Sequence, residues 1–359
     1  MRIVKHLFFS LAALVLIGSC NQAPQVLTNE ESVNFAKQME NSIKKGEGEF
    51  IDDSFDKSTF VERMKLPGSV ESDGYTKGVM QKLNLGKTIS ASLNDQDSYQ
   101  FIKHYIKDEK HHVIFRLYSP KQGTLNYHDY ELIKANDKCR IADAYIYLSG
   151  ETLSETMANL YQMLVAKSSD GGKDVVSYAA DLKEIRNLVQ KGKSSEAKKM
   201  YTMLPAYMKK AKAVLLLNVL ICSNLSNEEY SEAISEFREQ NPNERNINLM
   251  MVDGYFLQKD YVKMLGAINS LDSQINKDPL LDYYRYLSYN LLLENANAKT
   301  CLLRLLKNIP EFQKGYQELI AVELEGNNKN EADSLIKIYR GKTKFNQEEL
   351  DNIIAYYRR

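Results

Sequence analysis

The 359-residue sequence predicts two folding units in series: an α+β domain in which helices precede an antiparallel β-meander, then an all-α region of repeated helix pairs. Three observations carry this. Helix-spaced apolar residues run from 28 to 86. Segments rich in β-branched and aromatic residues, separated by turn-forming breaks, then occupy 87 to 149. After 175 the strand signals stop, and one small-residue position recurs about every 34 residues.

The chain opens on MRIVKHLFFSLAALVLIGSCNQAP. Arg2 and Lys5 make a cationic start, Leu7 to Ile17 an apolar run too short to span a bilayer, and Gly18 and Ser19 the small residues before a cysteine. Residues 1–19 therefore read as an export signal. Ile17-Gly18-Ser19-Cys20 resembles the lipobox of bacterial lipoproteins, with Ser where Gly or Ala is usual. The resemblance implies cleavage before Cys20, acylation of its thiol, and a mature protein held by lipid to a membrane of the cell envelope on the periplasmic side. A plain secretory signal with an incidental cysteine is the alternative. Several acyl chains, at about 0.8 kcal/mol per buried methylene, hold a soluble domain on a bilayer where one chain is marginal. Residues 20–27 form a short polar tether.

Lys and Arg number 47, as do Asp and Glu; losing 1–19 leaves 45 against 47, a net charge of −2. No basic run with interleaved aromatics appears, so nucleic acid is not an expected partner. Tyr is abundant at 23 and Trp absent, which favours amphipathic surfaces. Cys139, Cys222 and Cys301 are odd in number and widely spaced, matching neither a disulfide framework nor a metal site; buried free thiols are expected.

The α+β domain is assigned to 28–166. Thr28-Asn29-Glu30-Glu31 is a capping box, Val33, Ala36, Met39 and Ile43 follow at helical spacing, and Gly46 ends the helix. Phe55, Phe60, Val61 and Met64 mark a second helix, and Tyr75, Val79 and Leu83 a third ending at Gly86. KTISASL, YQFIKHYI, HHVIFRLYS, TLNYHDYELIK and CRIADAYIYLS then read as four or five hairpin-connected strands. A second capping box, Thr152-Leu153-Ser154-Glu155, opens a helix. This order resembles the NTF2-like or cystatin-like cone folds over residues 28 to 165, architectures that serve enzymes and binding modules alike.

Within TLNYHDYELIK, His128 and Asp129 sit side by side. Strand alternation sends them to opposite faces, with Leu125, Tyr127, Asp129, Glu131 and Ile133 on one and Asn126, His128, Tyr130, Leu132 and Lys134 on the other. The apolar pattern changes face between Tyr127 and Tyr130, as a bulge near His128 would produce. Arg116 and Asp143 on neighbouring strands complete a candidate polar cluster with His128, with either a catalytic or a hydrogen-bonding role. His111 and His112 flank the KDEK turn and are expected to be solvated.

A linker, KSSDGGKD at 167–174, leads to the helical region at 175–359. Ala197, Ala233, Met264, Cys301 and Ala332 occupy one equivalent position at spacings of 36, 31, 37 and 31 residues. With Gly192, Tyr201, Tyr230, Phe237, Tyr255 and Tyr261 at their flanks, these units resemble the tetratricopeptide repeat (TPR). Cys301 without an aromatic partner, missing glycines and uneven spacing depart from that pattern. Pro205, Pro242, Pro279 and Pro310 fall between units, and a last helix over 346–357 serves as a cap through Leu350, Ile353, Ile354 and Tyr357. The resemblance implies a groove lined by first helices that takes a protein or peptide segment. Position by position it implies Asn218, Asp253, Tyr286, Asn290 and Gln317 as groove residues, with Tyr283 and Lys314 at its edge. Core packing is the competing role for each. The Lys and Asn pattern that clamps a terminal carboxylate is not reproduced.

No nucleophile elbow, phosphate loop, dinucleotide fingerprint or zinc-protease motif occurs, so no catalytic residue, metal or cofactor is assigned. The expected function is a non-enzymatic, membrane-anchored envelope lipoprotein that binds a protein or peptide. An outer-membrane assembly scaffold, and an enzyme or small-ligand receptor built in the N-terminal cone, are the alternatives.

Overall fold

A computed structural model describes residues 26–120, 124–165, 175–242, 244–343 and 345–357. The signal segment, Cys20, most of the tether and the 167–174 linker lie outside the described residues. Among the described residues no helix is long and apolar enough to cross a membrane.

Helix α1 (Asn29–Lys44) starts at the Thr28 capping box, with Glu31 and Thr28 exchanging side-chain and backbone hydrogen bonds. It buries Phe35, Ala36, Met39 and Ile43. Short α2 (Glu49–Asp53), α3 (Lys57–Met64), α4 (Val70–Lys82) and α5 (Leu85–Ser92) follow. The KTISASL stretch is thus helical, where its β-branched residues predict a strand. Tertiary contacts override local propensity here. The Asp52 carboxylate accepts the backbone N–H groups of Gly86 and Lys87 at 2.7 and 3.1 Å, capping the first turn of α5. Glycine is required at that crossing, because a Cβ at Gly86 would meet the Gly48 carbonyl oxygen at 2.1 Å.

The meander comprises β1 (Ser98–Lys107), β2 (Lys110–Ser119), β3 (Thr124–Ala135), β4 (Lys138–Ile146) and short β5 (Glu151–Thr152), all antiparallel in that order. Strand β3 pairs with β2 without a slip from Thr124 to Leu132. The irregularities sit elsewhere: Ile102 is the extra residue on β1 and Ala142 the extra residue on β4. The change of apolar face inside TLNYHDYELIK therefore needs no bulge at His128. It arises because β3 is buried on both sides. Tyr130 and Leu132 join α1, α2 and α3 in one core with Val113, Phe115 and Ile141, while Leu125 and Tyr127 join a second core with Ile114, Tyr118 and Tyr147.

That second core belongs to the helical region. After α6 (Leu153–Val165), the chain runs through α7 (Val175–Gln190) and α8 (Ser194–Thr202), a one-turn α9 (Ala206–Lys209), then α10 (Lys212–Cys222) and α11 (Asn227–Gln240). The pairs α12 (Ile247–Leu257) and α13 (Tyr261–Gln274), α14 (Leu281–Leu291) and α15 (Asn295–Asn308), and α16 (Gln313–Glu325) and α17 (Lys329–Arg340) follow, with α18 (Gln347–Tyr357) against α16. Each pair packs on the next, giving a TPR-like stack. Ala197, Ala233, Met264, Cys301 and Ala332 fall one per second helix and are all buried, where a compact side chain lets paired helices approach closely.

The outer face of the sheet seats on the loops between repeats. Arg116 of β2 forms a buried ion pair with Asp278 in the α13–α14 loop, and Tyr127 donates its hydroxyl to the same carboxylate at 2.7 Å. Lys103 reaches the Asn276 carbonyl at 3.0 Å, and the Tyr118 ring lies 6.0 Å from Phe312. At the other end Gly150, with φ +65°, lies under Asn246; a Cβ there would meet the Asn246 side chain at 2.7 Å. Replacing Arg116 by Met leaves Asp278 charged, buried and without its cation, so urea denaturation should show a loss of about 3–5 kcal/mol. The R116M/D278N double variant should be milder than R116M alone.

Candidate functional site

The cluster expected of Arg116, His128 and Asp143 is not assembled, because the sheet commits each residue to different partners. Arg116 faces the repeats, paired with Asp278 and bonded to Gln100. His128 points to the opposite face. The Asn126 carbonyl oxygen accepts from the backbone N–H groups of Tyr127 and Leu148, which fixes the amide so that its nitrogen donates to His128 Nε2 at 3.1 Å. Nδ1 then carries the imidazole proton and contacts the Tyr99 hydroxyl at 3.1 Å, itself 2.7 Å from the Tyr130 hydroxyl. Burial without a counter-charge lowers His128 from 6.5 to about 3, so it is a neutral core histidine. Asp143 caps α6, accepting from the Ser154 hydroxyl at 2.5 Å and the Ser154 N–H at 3.2 Å.

The expectation that His111 and His112 are solvated is also corrected. His111 is buried, with Nδ1 2.9 Å from Ser32 of α1 and 2.9 Å from His104. His112 meets Asp129 at 3.2 Å on the opposite face. Asp129 is a hub between the two parts of the chain. It accepts from Tyr105 at 2.5 Å and pairs with Arg245, whose guanidinium stacks 4.7 Å from the Tyr145 ring and 5.0 Å from the Tyr147 ring. Burial pushes its carboxyl up, but His112, Arg245 and Tyr105 outweigh that cost and hold it below the ordinary aspartate value. Among the described residues no three or more His, Cys, Asp or Glu side chains converge in a metal-holding group.

Beside this junction lies an open cleft of about 480 Å³. One wall is the end of the sheet, with Leu125, Ile146, Leu148 and Glu151; the other is the row of first helices α7, α10 and α12, reaching Tyr284 of α14. The walls are chiefly apolar: Leu216, Val219 and Leu220 from α10, and Leu249, Met250 and Val252 from α12. Leu220 is 51% exposed. Polar groups are few. Asp253 accepts from the Tyr230 hydroxyl at 3.2 Å, Glu151 accepts from Asn159 at 2.9 Å, and Arg186 reaches in from α7.

Of the expected groove residues, Asp253 alone lines this cleft. Asn218 is buried and receives Lys198 at 2.8 Å. Tyr286 is buried and donates to Glu318 at 2.7 Å, while Lys314 pairs with the same carboxylate. Gln317 is buried against Tyr339 and Glu349, and Asn290 is half-buried. Tyr283 packs 5.3 Å from Phe312, beneath the sheet. Asn218, Tyr286 and Gln317 thus join neighbouring helices of the stack, and Tyr283 joins successive repeats. The apolar wall itself was open to detection in KAVLLLNVLIC: a helix apolar on all sides, stacked in a repeat that can cover only some of them, leaves the remainder for a ligand or a second domain.

The fold and cleft define a class, an antiparallel-sheet domain seated on a TPR-like helical repeat. No family model matches the chain, and no curated protein matches it. Among solved structures, MamA 41-end from Desulfovibrio magneticus RS-1 matches at 16% identity and a TM-score of 0.39, over 46% of this chain and 98% of that one. The MamA RS-1 ArsTM double mutant matches at 16% identity and a TM-score of 0.38, over 44% and 92%. At these values the likeness assigns no role to any residue.

The neutral His128 has a measurable consequence. Its folded pKa lies below the unfolded one, so between pH 6.5 and about 3 the unfolded chain binds a proton that the folded chain does not. Its stabilising effect is complete above pH 6.5 and is lost as the pH falls. Urea denaturation at pH 7 and pH 5 should therefore differ by about 2 kcal/mol more in the wild type than in His128→Gln.

Proposed function

We propose that the protein is a non-enzymatic lipoprotein of the cell envelope, held to a membrane through acylated Cys20, and that its cleft binds a segment of a partner protein. The open apolar cleft is the observation that supports this reading. It combines a concave, largely apolar wall with a few placed polar groups, the usual constitution of a binding site, and leaves Leu220 uncovered. The α+β domain, of the NTF2-like or cystatin-like kind, acts in this reading as a rigid platform that supplies one wall. A non-catalytic role accords with the state of the acid-base residues: His128 is neutral, and Asp129, Asp143 and Arg116 are each engaged in holding elements together.

Cys20→Ala is expected to abolish palmitate labelling and to move the protein from the membrane pellet to the soluble fraction; retained label would contradict the anchor. A photo-crosslinking side chain at Leu220 should give discrete adducts in intact envelopes, whereas one at Val70, 85% exposed and outside the cleft, should not. Equal adducts from both positions, or none from Leu220, would contradict the site.

A further inference from the structure

The cleft contains an acid that the protein does not neutralise. At the sheet–repeat junction four carboxylates have cations: Asp129 has Arg245, Asp278 has Arg116, Asp272 has Arg285, and Asp282 has Arg285 and Arg304. Glu151, the other acid of the lining, takes Thr156 at 3.2 Å and Asn159 at 2.9 Å. Asp253 receives the Tyr230 hydroxyl at 3.2 Å, and among the described residues no Lys or Arg pairs with it. With Arg186 the only cation among the lining residues, the cleft carries one net negative charge.

We propose that the cleft takes a peptide segment in which apolar side chains are adjoined by a cationic group, a lysine, an arginine or a free amino terminus, that pairs with Asp253. The inference rests on the reading of the cleft as a peptide site and specifies its ligand. The apolar residues of α10 and α12 provide the wall for the apolar side chains. Asp253 follows Leu249, Met250 and Val252 on α12, so one occupant touches both the wall and the carboxylate. A carboxylate among apolar walls attracts a cation more strongly than one in bulk water, because the local dielectric is lower. Asp253 is exposed to solvent, so a cation can reach it, and crowding by those walls raises its carboxyl, a cost that an arriving cation offsets. Tyr230 and Tyr284 line the same region. An acidic segment meets the opposite situation and is excluded.

The test uses the full-length protein and three fluorescent hexapeptide sublibraries. The peptides are blocked at the amino terminus, one position is fixed as lysine, norleucine or glutamate, and the others are random mixtures of leucine, phenylalanine, methionine and serine. Polarisation should show the lysine set binding about tenfold more tightly than the norleucine set, with the glutamate set weakest. Asp253→Asn, checked for an unchanged thermal melt, should bring the lysine set to the norleucine level, and Leu220→Arg should weaken all three. Binding of all sets with no preference for lysine, still blocked by Leu220→Arg, would overturn the inference and leave the peptide site standing. No binding by any set would overturn both. Self-association that Leu220→Arg abolishes would give the cleft to a second copy of this chain and overturn the inference.

Discussion

The structure depends on a meander buried on both faces. One face of the sheet closes over α1, α2 and α3, and the other rests on the loops between repeats, so neither part has its present surface without the other. Buried large apolar side chains such as Tyr127 and Ile114, each contributing about 1.5–3 kcal/mol, supply the attraction. The two charged contacts act differently. Desolvating Arg116 with Asp278 and Asp129 with Arg245 offsets much of their mutual attraction, so their main effect is to fix one register and one angle of the sheet on the repeats.

That angle creates the cleft. The sheet covers the repeats from the α11–α12 loop to the α15–α16 loop, through Arg245, Asn276, Asp278 and Phe312, and leaves the apolar sides of α10 and α12 facing its end. The inner surface of a TPR-like stack is thus divided. Part is spent on the protein's own β-domain, and part remains as a site with one wall from each unit.

Much of this was legible in the sequence. The capping boxes at Thr28 and Thr152 and the four long strands are local signals, and they correspond to observed hydrogen bonds and pairings. The recurrent small position was legible because helix pairs must approach closely at a regular interval. The illegible parts are the long-range ones. KTISASL becomes a helix because Asp52, 34 residues before Gly86, caps it. The apparent bulge at His128 was a second buried face whose partner lies about 150 residues on, as in the bond from Tyr127 to Asp278. The groove residues expected from repeat positions failed to gather because Asn218, Tyr286 and Gln317 are used between adjacent helices. A single sequence shows which side chains are polar, but not which neighbour satisfies them.

The central claim, that sheet and repeats form one body through the outer face of the meander, is tested most directly by native-state amide hydrogen exchange across a urea series. The β3 amides of Tyr127 and Asp129 and the amides of α12 and α14 should open with one common free energy and one common denaturant dependence. A separate, lower-energy opening that exposes β2 and β3 while α12 and α14 stay protected would contradict it.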